Sequence, residues 1–116
     1  MSCVVIFGGA GFVGASFAEK LLSNPSIKHI YQFDLKSINS TSAYIRNLLK
    51  NNTKIKYISG DVRKPIPSFT AGQKVLFIAN FAAIHREPGH QPNEYFDTNM
   101  LGAQNVCDFA ERVNCK

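Results

Sequence analysis

Val4-Val5-Ile6-Phe7-Gly8-Gly9-Ala10-Gly11-Phe12-Val13-Gly14 is the stretch that decides the fold. Its first four residues are apolar without alternation, the pattern of a strand buried on both faces in the middle of a parallel sheet. Glycines at positions 8, 11 and 14 follow at once, and the period then changes, with Gly14, Phe17, Ala18 and Leu21 on one helical face. A pyrophosphate needs backbone N–H groups aimed at it and no side chains in the way, and a helix N-terminus adds partial positive charge. A strand that turns through glycines into a helix meets both demands. Gly8 is expected to make the tight turn, Gly11 to let the backbone approach the phosphates, and Gly14 to let the helix pack closely on the sheet. Phe12 and Val13, between them, complete the expected cofactor-contact segment. The spacing is G-x-x-G-x-x-G, slightly different from the G-x-G-x-x-G of dinucleotide-binding folds.

Outward from this stretch, strands and helices alternate. Asn24-Pro25 stops the first helix, and Lys28 to Phe33 forms a second strand closed by Asp34. Ser42 to Leu49 pairs Tyr44 and Ile45 with Leu48 and Leu49 at helical spacing, and Ile55 to Ser59 is a third strand ending at Gly60-Asp61. Pro65 and Pro67 enforce a loop before a fourth strand, Val75 to Ala79. From Asn93 to Asn114 runs a longer helical pattern, with Phe96, Met100, Ala103, Val106 or Cys107, Ala110 and Val113 on one face. The order predicts an α/β fold of Rossmann type, a doubly wound parallel sheet with strands in the order 3-2-1-4. Its ligand crevice lies at the carboxyl ends of strands 1 and 4, where the winding reverses.

Asp34 supplies the acidic residue that a dinucleotide site wants at the end of the second strand, about 20 positions after the glycines. Its carboxylate accepts hydrogen bonds from ribose hydroxyls and repels a 2′-phosphate, which favours NAD over NADP; Lys36 nearby pulls the other way. Gly9 to Ser16 also comes within one residue of a Walker A loop, but Ala15 stands where the phosphate-binding lysine belongs. A kinase or ATPase is therefore a poor reading.

Composition narrows the classes further. The chain has 116 residues, 45% of them apolar, enough for one domain with a core. No apolar run approaches a membrane span, and no basic segment precedes the first strand as in a signal peptide, so a cytoplasmic protein without membrane contact is expected. Cys3, Cys107 and Cys115 form no CxxC pair; they read as packing thiols, and no metal site is expected. The net charge of +5 is local, with nine Lys/Arg against Asp34 and Asp61 between Lys28 and Lys74. Lys50, Lys54 and Lys56 read as a solvated face, and only Tyr44 and Tyr57 interrupt the basic region between Lys36 and Lys64, so no nucleic-acid partner is expected.

With the glycine loop, Asp34, Gly60-Asp61-Val62, Asn80-Phe81-Ala82-Ala83 and Asn99-Met100-Leu101-Gly102 all in order, the chain resembles the extended short-chain dehydrogenase/reductase family. Within it, NAD-dependent nucleotide-sugar epimerases and dehydratases are the most similar in pattern. The resemblance implies that Asp61 holds the adenine amino group with the Val62 backbone beside it, the alternative being an Asp that caps a loop. It implies that Phe81, Ala82 and Ala83 pass the pyrophosphate and nicotinamide ribose, although Asn80 stands where many relatives carry His. Asn99 then helps shape the site from within the last helix, or is satisfied by neighbouring backbone. His85 and Arg86, in the Pro/Gly-rich loop that follows, are candidate substrate contacts or merely exposed.

The chemistry of that family depends on a Tyr-x-x-x-Lys pair, and this chain has none: Tyr31, Tyr44, Tyr57 and Tyr95 are followed four residues later by Leu35, Leu48, Asp61 and Asn99. The resemblance therefore implies that residues 1–116 are the N-terminal part of an NAD(P)-binding Rossmann domain, without the catalytic and substrate-binding part. In the full-length relative a sugar carbon is transiently oxidised; this chain alone is expected to bind NAD without catalysis. A noncatalytic NAD(P)-binding redox-sensing module and a nonfunctional gene remnant are the alternatives. A strand 4 with an open apolar edge also invites a homo-oligomer.

Overall fold

In a computed structural model, which describes residues 2–9, 11–37, 39, 41–70, 72–81 and 101–113, the opening apolar run is strand β1, Ser2–Phe7. Residues Cys3 through Phe7 are each completely buried, as a strand covered on both faces must be. β2 (His29–Asp34) and β4 (Lys74–Asn80) flank β1 in parallel, and β3 (Ile55–Ser59) lies outside β2. The sheet order is β3-β2-β1-β4, the predicted winding. Three helices of the described residues cover it: α1 (Phe12–Leu21), α2 (Ala43–Asn51) and α3 (Gly102–Arg112).

Alternation along β1 divides the core into two halves. Val4 and Ile6 face the side where Ala18 of α1 and Leu48 of α2 pack with Ile27, Ile30 and Ile55. Cys3, Val5 and Phe7 face the side where Val106 and Phe109 of α3 pack with Phe33, Val62, Ile66 and Val75. On this second side the rings of Phe7 and Phe109 meet edge-on at 5.7 Å and those of Phe69 and Phe109 stack at 5.2 Å, so one aromatic of α3 joins the sheet to the loop after β3. The pairing of β1 with β4 shifts between Cys3 and Val4, skipping Leu76. Leu76 and Phe77 in consequence both pack toward the α1 side, as a bulge permits.

Three expectations are corrected. The apolar face of α3 is Gly102, Val106, Phe109 and the following Val113, whereas Ala103 and Cys107 are exposed. The helix is thus rotated by about one position from the predicted stripe, and the bulky Phe109 sets the rotation because it alone reaches both Phe7 and Phe69. Cys107 is accordingly no packing residue, while Cys3 is one; Cys115 lies outside the described residues. Lys54 does not belong to a solvated face. Its ammonium donates to the carbonyls of Leu22 (3.0 Å) and Asn24 (2.8 Å), setting a positive charge at the C-terminal end of α1, where the helix dipole is negative. Lys50 and Lys56 are exposed as expected. No helix of the described residues is long and apolar enough to cross a membrane.

Candidate functional site

The carboxyl ends of all four strands converge around the glycine turn. Gly8 takes a positive φ of 79°, and its N–H and that of Gly9 both donate to the Phe33 carbonyl at 2.8 and 3.3 Å. The turn is therefore strapped to β2 one residue before Asp34. Gly11 donates to the Gly8 carbonyl (3.2 Å) and its own carbonyl accepts from Ala15 (2.9 Å), the first hydrogen bond of α1. A Cβ on Gly14 would lie 2.5 Å from the Gly8 oxygen and 3.0 Å from Gly9 Cα. Gly14 thus lets α1 close onto the turn itself, not onto the sheet as expected, because the turn doubles back beneath the first helical residues.

Among the described residues, this bonding pattern decides which amides remain for a ligand. Those of Gly8, Gly9 and Gly11 are spent inside the turn, whereas those of Phe12, Val13 and Gly14 precede the first intrahelical hydrogen bond. Gly11, the N-cap residue, offers no side chain to satisfy them. An uncapped helix start with three adjacent N–H groups is suited to an anion such as a phosphate.

Beside the turn, β2 delivers Asp34. The Asp34 carbonyl accepts from Gly60 N–H at 2.8 Å, and its Oδ1 accepts from Lys36 N–H at 3.1 Å. Tyr57 of β3 donates its hydroxyl to the Lys36 carbonyl at 2.6 Å. Burial pushes the Tyr57 phenol up to about 12, and the Asp34 charge adds to the effect. Farther along, Asp61 forms a two-pronged pair with Arg63: Nε reaches both carboxylate oxygens and Nη2 reaches Oδ2 at 2.9 Å. Oδ1 also accepts from the Arg63 backbone N–H at 2.9 Å, the loop-capping arrangement. Hydrogen bonding by the Arg63 side chain holds the Asp61 carboxyl below the usual carboxylate range, against a smaller opposing effect of desolvation. Val62 is buried in the core, and its carbonyl accepts from Asn105 Nδ2 of α3 at 2.7 Å, a bridge that the sequence reading missed.

On the other flank, Phe81 N–H donates to the Phe7 carbonyl at 2.7 Å, which carries the β1–β4 ladder up to the crevice. Its ring is partly exposed and meets Phe17 of α1 edge-on at 5.8 Å. Val13 in the first turn of α1, and Leu35 and Phe81, each the residue after a strand end, are among the most exposed large apolar side chains of the described residues. An apolar rim around a polar helix start suits a ligand with flat rings and a charged middle. Ala82, Ala83, His85, Arg86 and Asn99 lie outside the described residues.

Beneath the turn, Gln32 is completely buried, and neither end of its amide has a hydrogen-bond partner among the described residues. Gly9 accommodates it, since a Cβ there would lie 2.5 Å from Gln32 Cβ. Nothing in the sequence marks this burial, because Gln in a strand between Tyr31 and Phe33 has the look of an outward-facing residue.

Residues 5–116 match the model of the 3-beta hydroxysteroid dehydrogenase/isomerase family. Among curated relatives, a UDP-glucose 4-epimerase of Rickettsia bellii is 32% identical over 105 residues, covering 89% of this chain and 31% of the relative. A UDP-N-acetylglucosamine 4,6-dehydratase (inverting) of Campylobacter jejuni is 34% identical over 110 residues, covering 90% of this chain and 31% of its own. The chain thus spans about a third of the length of the curated relatives it matches. A solved structure of UDP-glucose-4-epimerase from Stenotrophomonas maltophila, which holds bound NAD, superposes with a TM-score of 0.75 at 20% identity over 98% of this chain and 34% of that one. That likeness establishes the Rossmann-type fold.

Proposed function

The chain belongs to the 3-beta hydroxysteroid dehydrogenase/isomerase family, and from that premise we propose that it is the NAD-binding portion of a nucleotide-sugar epimerase or dehydratase that works by transient oxidation of a sugar carbon. The observation that carries this is the glycine turn: its own amides are consumed by Phe33 and Gly8, leaving the uncapped start of α1 beside Asp34. The NAD bound in the Stenotrophomonas epimerase and the nucleotide-sugar activities of the curated relatives support it.

The residues present fit the dinucleotide. Phe12, Val13 and Gly14 amides would hold the pyrophosphate, with Gly8 and Gly11 shaping the turn under it. Asp34 would accept from the adenosine ribose hydroxyls and disfavour a 2′-phosphate, which makes NAD the preferred form over NADP. Asp61 and the Val62 backbone would meet the adenine, Asp61 through acceptor capacity that it shares with Arg63. Phe81, Ala82, Ala83 and Asn99 would line the nicotinamide half, and His85 and Arg86 would face the substrate. When bound, the dinucleotide accepts and returns a hydride; the chain's residues bind and orient it.

Residues 1–116 act as the N-terminal part of that domain in this proposal, and without a Tyr-x-x-x-Lys pair they bind NAD but turn nothing over. The proposal places the protein in the cytoplasm with no nucleic-acid or membrane partner. It includes self-association, because β4 has one strand neighbour among the described residues and a strand edge is a pairing template. Calorimetric titration with NAD tests the core of the proposal: wild type binds and Asp34→Ala binds at least about tenfold more weakly. Equally negligible binding by both would overturn it.

A further inference from the structure

The segment Asp34-Leu35-Lys36 is held to β3 by more than the strand ladder. Gly60 N–H binds the Asp34 carbonyl at 2.8 Å, Lys36 N–H binds Asp34 Oδ1 at 3.1 Å, and the Tyr57 hydroxyl binds the Lys36 carbonyl at 2.6 Å. The first two are a backbone contact and a local turn. The third is a side chain reaching across from the neighbouring strand, and it fixes the orientation of the peptide that carries Lys36. Two opposite charges sit on this short segment. A carboxylate at the end of β2 accepts from a ribose 2′-hydroxyl and repels a 2′-phosphate, whereas an ammonium two residues later attracts that phosphate. Which of them governs the 2′ position depends on how the segment is held.

Resting on the dinucleotide reading above, we propose that Tyr57 is a positioning residue for cofactor choice: by holding the Lys36 carbonyl it keeps the Asp34 carboxylate turned to the ribose and Lys36 away, so that NAD is preferred over NADP. Three features make the tether effective. The phenol stays protonated through the physiological range, since burial and the nearby Asp34 charge push it up to about 12, so it remains a donor. Its ring is anchored, packed partly buried against Ala15 of α1 and Ile45 of α2. Lys36 itself is exposed, and its side chain can move once its backbone is released.

Tyr57→Phe keeps the ring and its packing and removes only the tether. Titrations of wild type and Tyr57→Phe with NAD and with NADP, at one ionic strength, are expected to show the ratio of Kd for NADP to Kd for NAD falling about fivefold in the variant, the effect of one lost hydrogen bond. Amide exchange without cofactor is expected to show Lys36 N–H exchanging about fivefold faster in Tyr57→Phe while the β1 amides are unchanged. An unchanged ratio overturns the proposal whatever happens to stability, and so does unchanged Lys36 exchange. Asp34→Ala separates the two levels. If it weakens NAD binding while Tyr57→Phe leaves the ratio unchanged, Tyr57 alone is misassigned. If wild type binds neither dinucleotide, the reading of the site falls and this proposal falls with it.

Discussion

At Gly14 the absence of one carbon is structural before it is functional. A Cβ 2.5 Å from the Gly8 oxygen meets backbone, which cannot step aside as a side chain would. Gly14→Ala is therefore expected to lose about 1–3 kcal/mol through overpacking, although Ala is the better helix former by about 1 kcal/mol. Urea unfolding checks the sign: a stabilised Gly14→Ala would mean that the turn gives way more easily than its geometry indicates. Gln32 presents the opposite case, an amide whose burial is uncompensated. An unsatisfied buried polar group costs about 1–3 kcal/mol, and Met fills nearly the same volume. Gln32→Met should raise the urea midpoint by the equivalent of about 1 kcal/mol, and a loss of stability would show that the amide has a partner in solution.

Asp61 is a residue whose charge state the fold controls. Arg63 holds its carboxyl below the usual range, so the folded state releases that proton more readily than the unfolded chain does. The resulting stabilisation is present above the unfolded value and is lost as the pH falls through the depressed folded value. Arg63→Ala should bring Asp61 back toward an ordinary carboxyl, seen by NMR titration of the carboxyl carbon. An unmoved titration would assign the depression to something other than the two-pronged contact.

Among the elements, β1 and α1 were the most legible, because an uninterrupted apolar run and a clean change of period each admit one interpretation. β3 was predicted to the residue, and β2 and β4 differ only at their ends. α3 was harder to place. Its sequence carries apolar residues at 103, 106, 107, 109, 110 and 113, which support two stripes, and only contact with the sheet selects one. The choice falls on Phe109, completely buried between Phe7 and Phe69, with Arg112 stacked over its ring at 5.8 Å. Phe109→Ala should cost about 3–5 kcal/mol, whereas Cys107→Ala on the exposed side should stay within about 0.5 kcal/mol. Equal losses in the two variants would restore the predicted stripe. In the candidate site, the glycines and Asp34 were legible because close approach and charge restrict residue type. The Tyr57 tether, the Arg63 pair and the Asn105 bridge were not, since each joins residues whose meeting depends on tertiary placement.

For the whole molecule, the sheet makes the site and its own stability inseparable. The turn after β1 is bonded to the end of β2, the end of β2 to the start of the loop after β3, and Phe81 at the end of β4 to Phe7 of β1. A dinucleotide resting on the turn and on Asp34 would lock these joints together, and ligand that binds only the folded state adds about 2.7 kcal/mol when present at 100 times its Kd. For a domain of this size that raises Tm by on the order of 10 °C. Asp34→Ala and Gly14→Ala should largely lose the shift, and Cys107→Ala should keep it. At alkaline pH the stability of the fold itself must diminish, with or without the dinucleotide. Tyr57 has its phenol raised from 10.0 to about 12 in the folded state, so the stability it contributes is complete below about 10 and is lost as the pH rises toward 12. Unfolding followed from pH 9 to 12 should therefore show a decline that is shallower in Tyr57→Phe than in wild type. Identical declines would mean that the phenol is not held by the fold, and the tether to Lys36 would then lack the rigidity that cofactor choice requires.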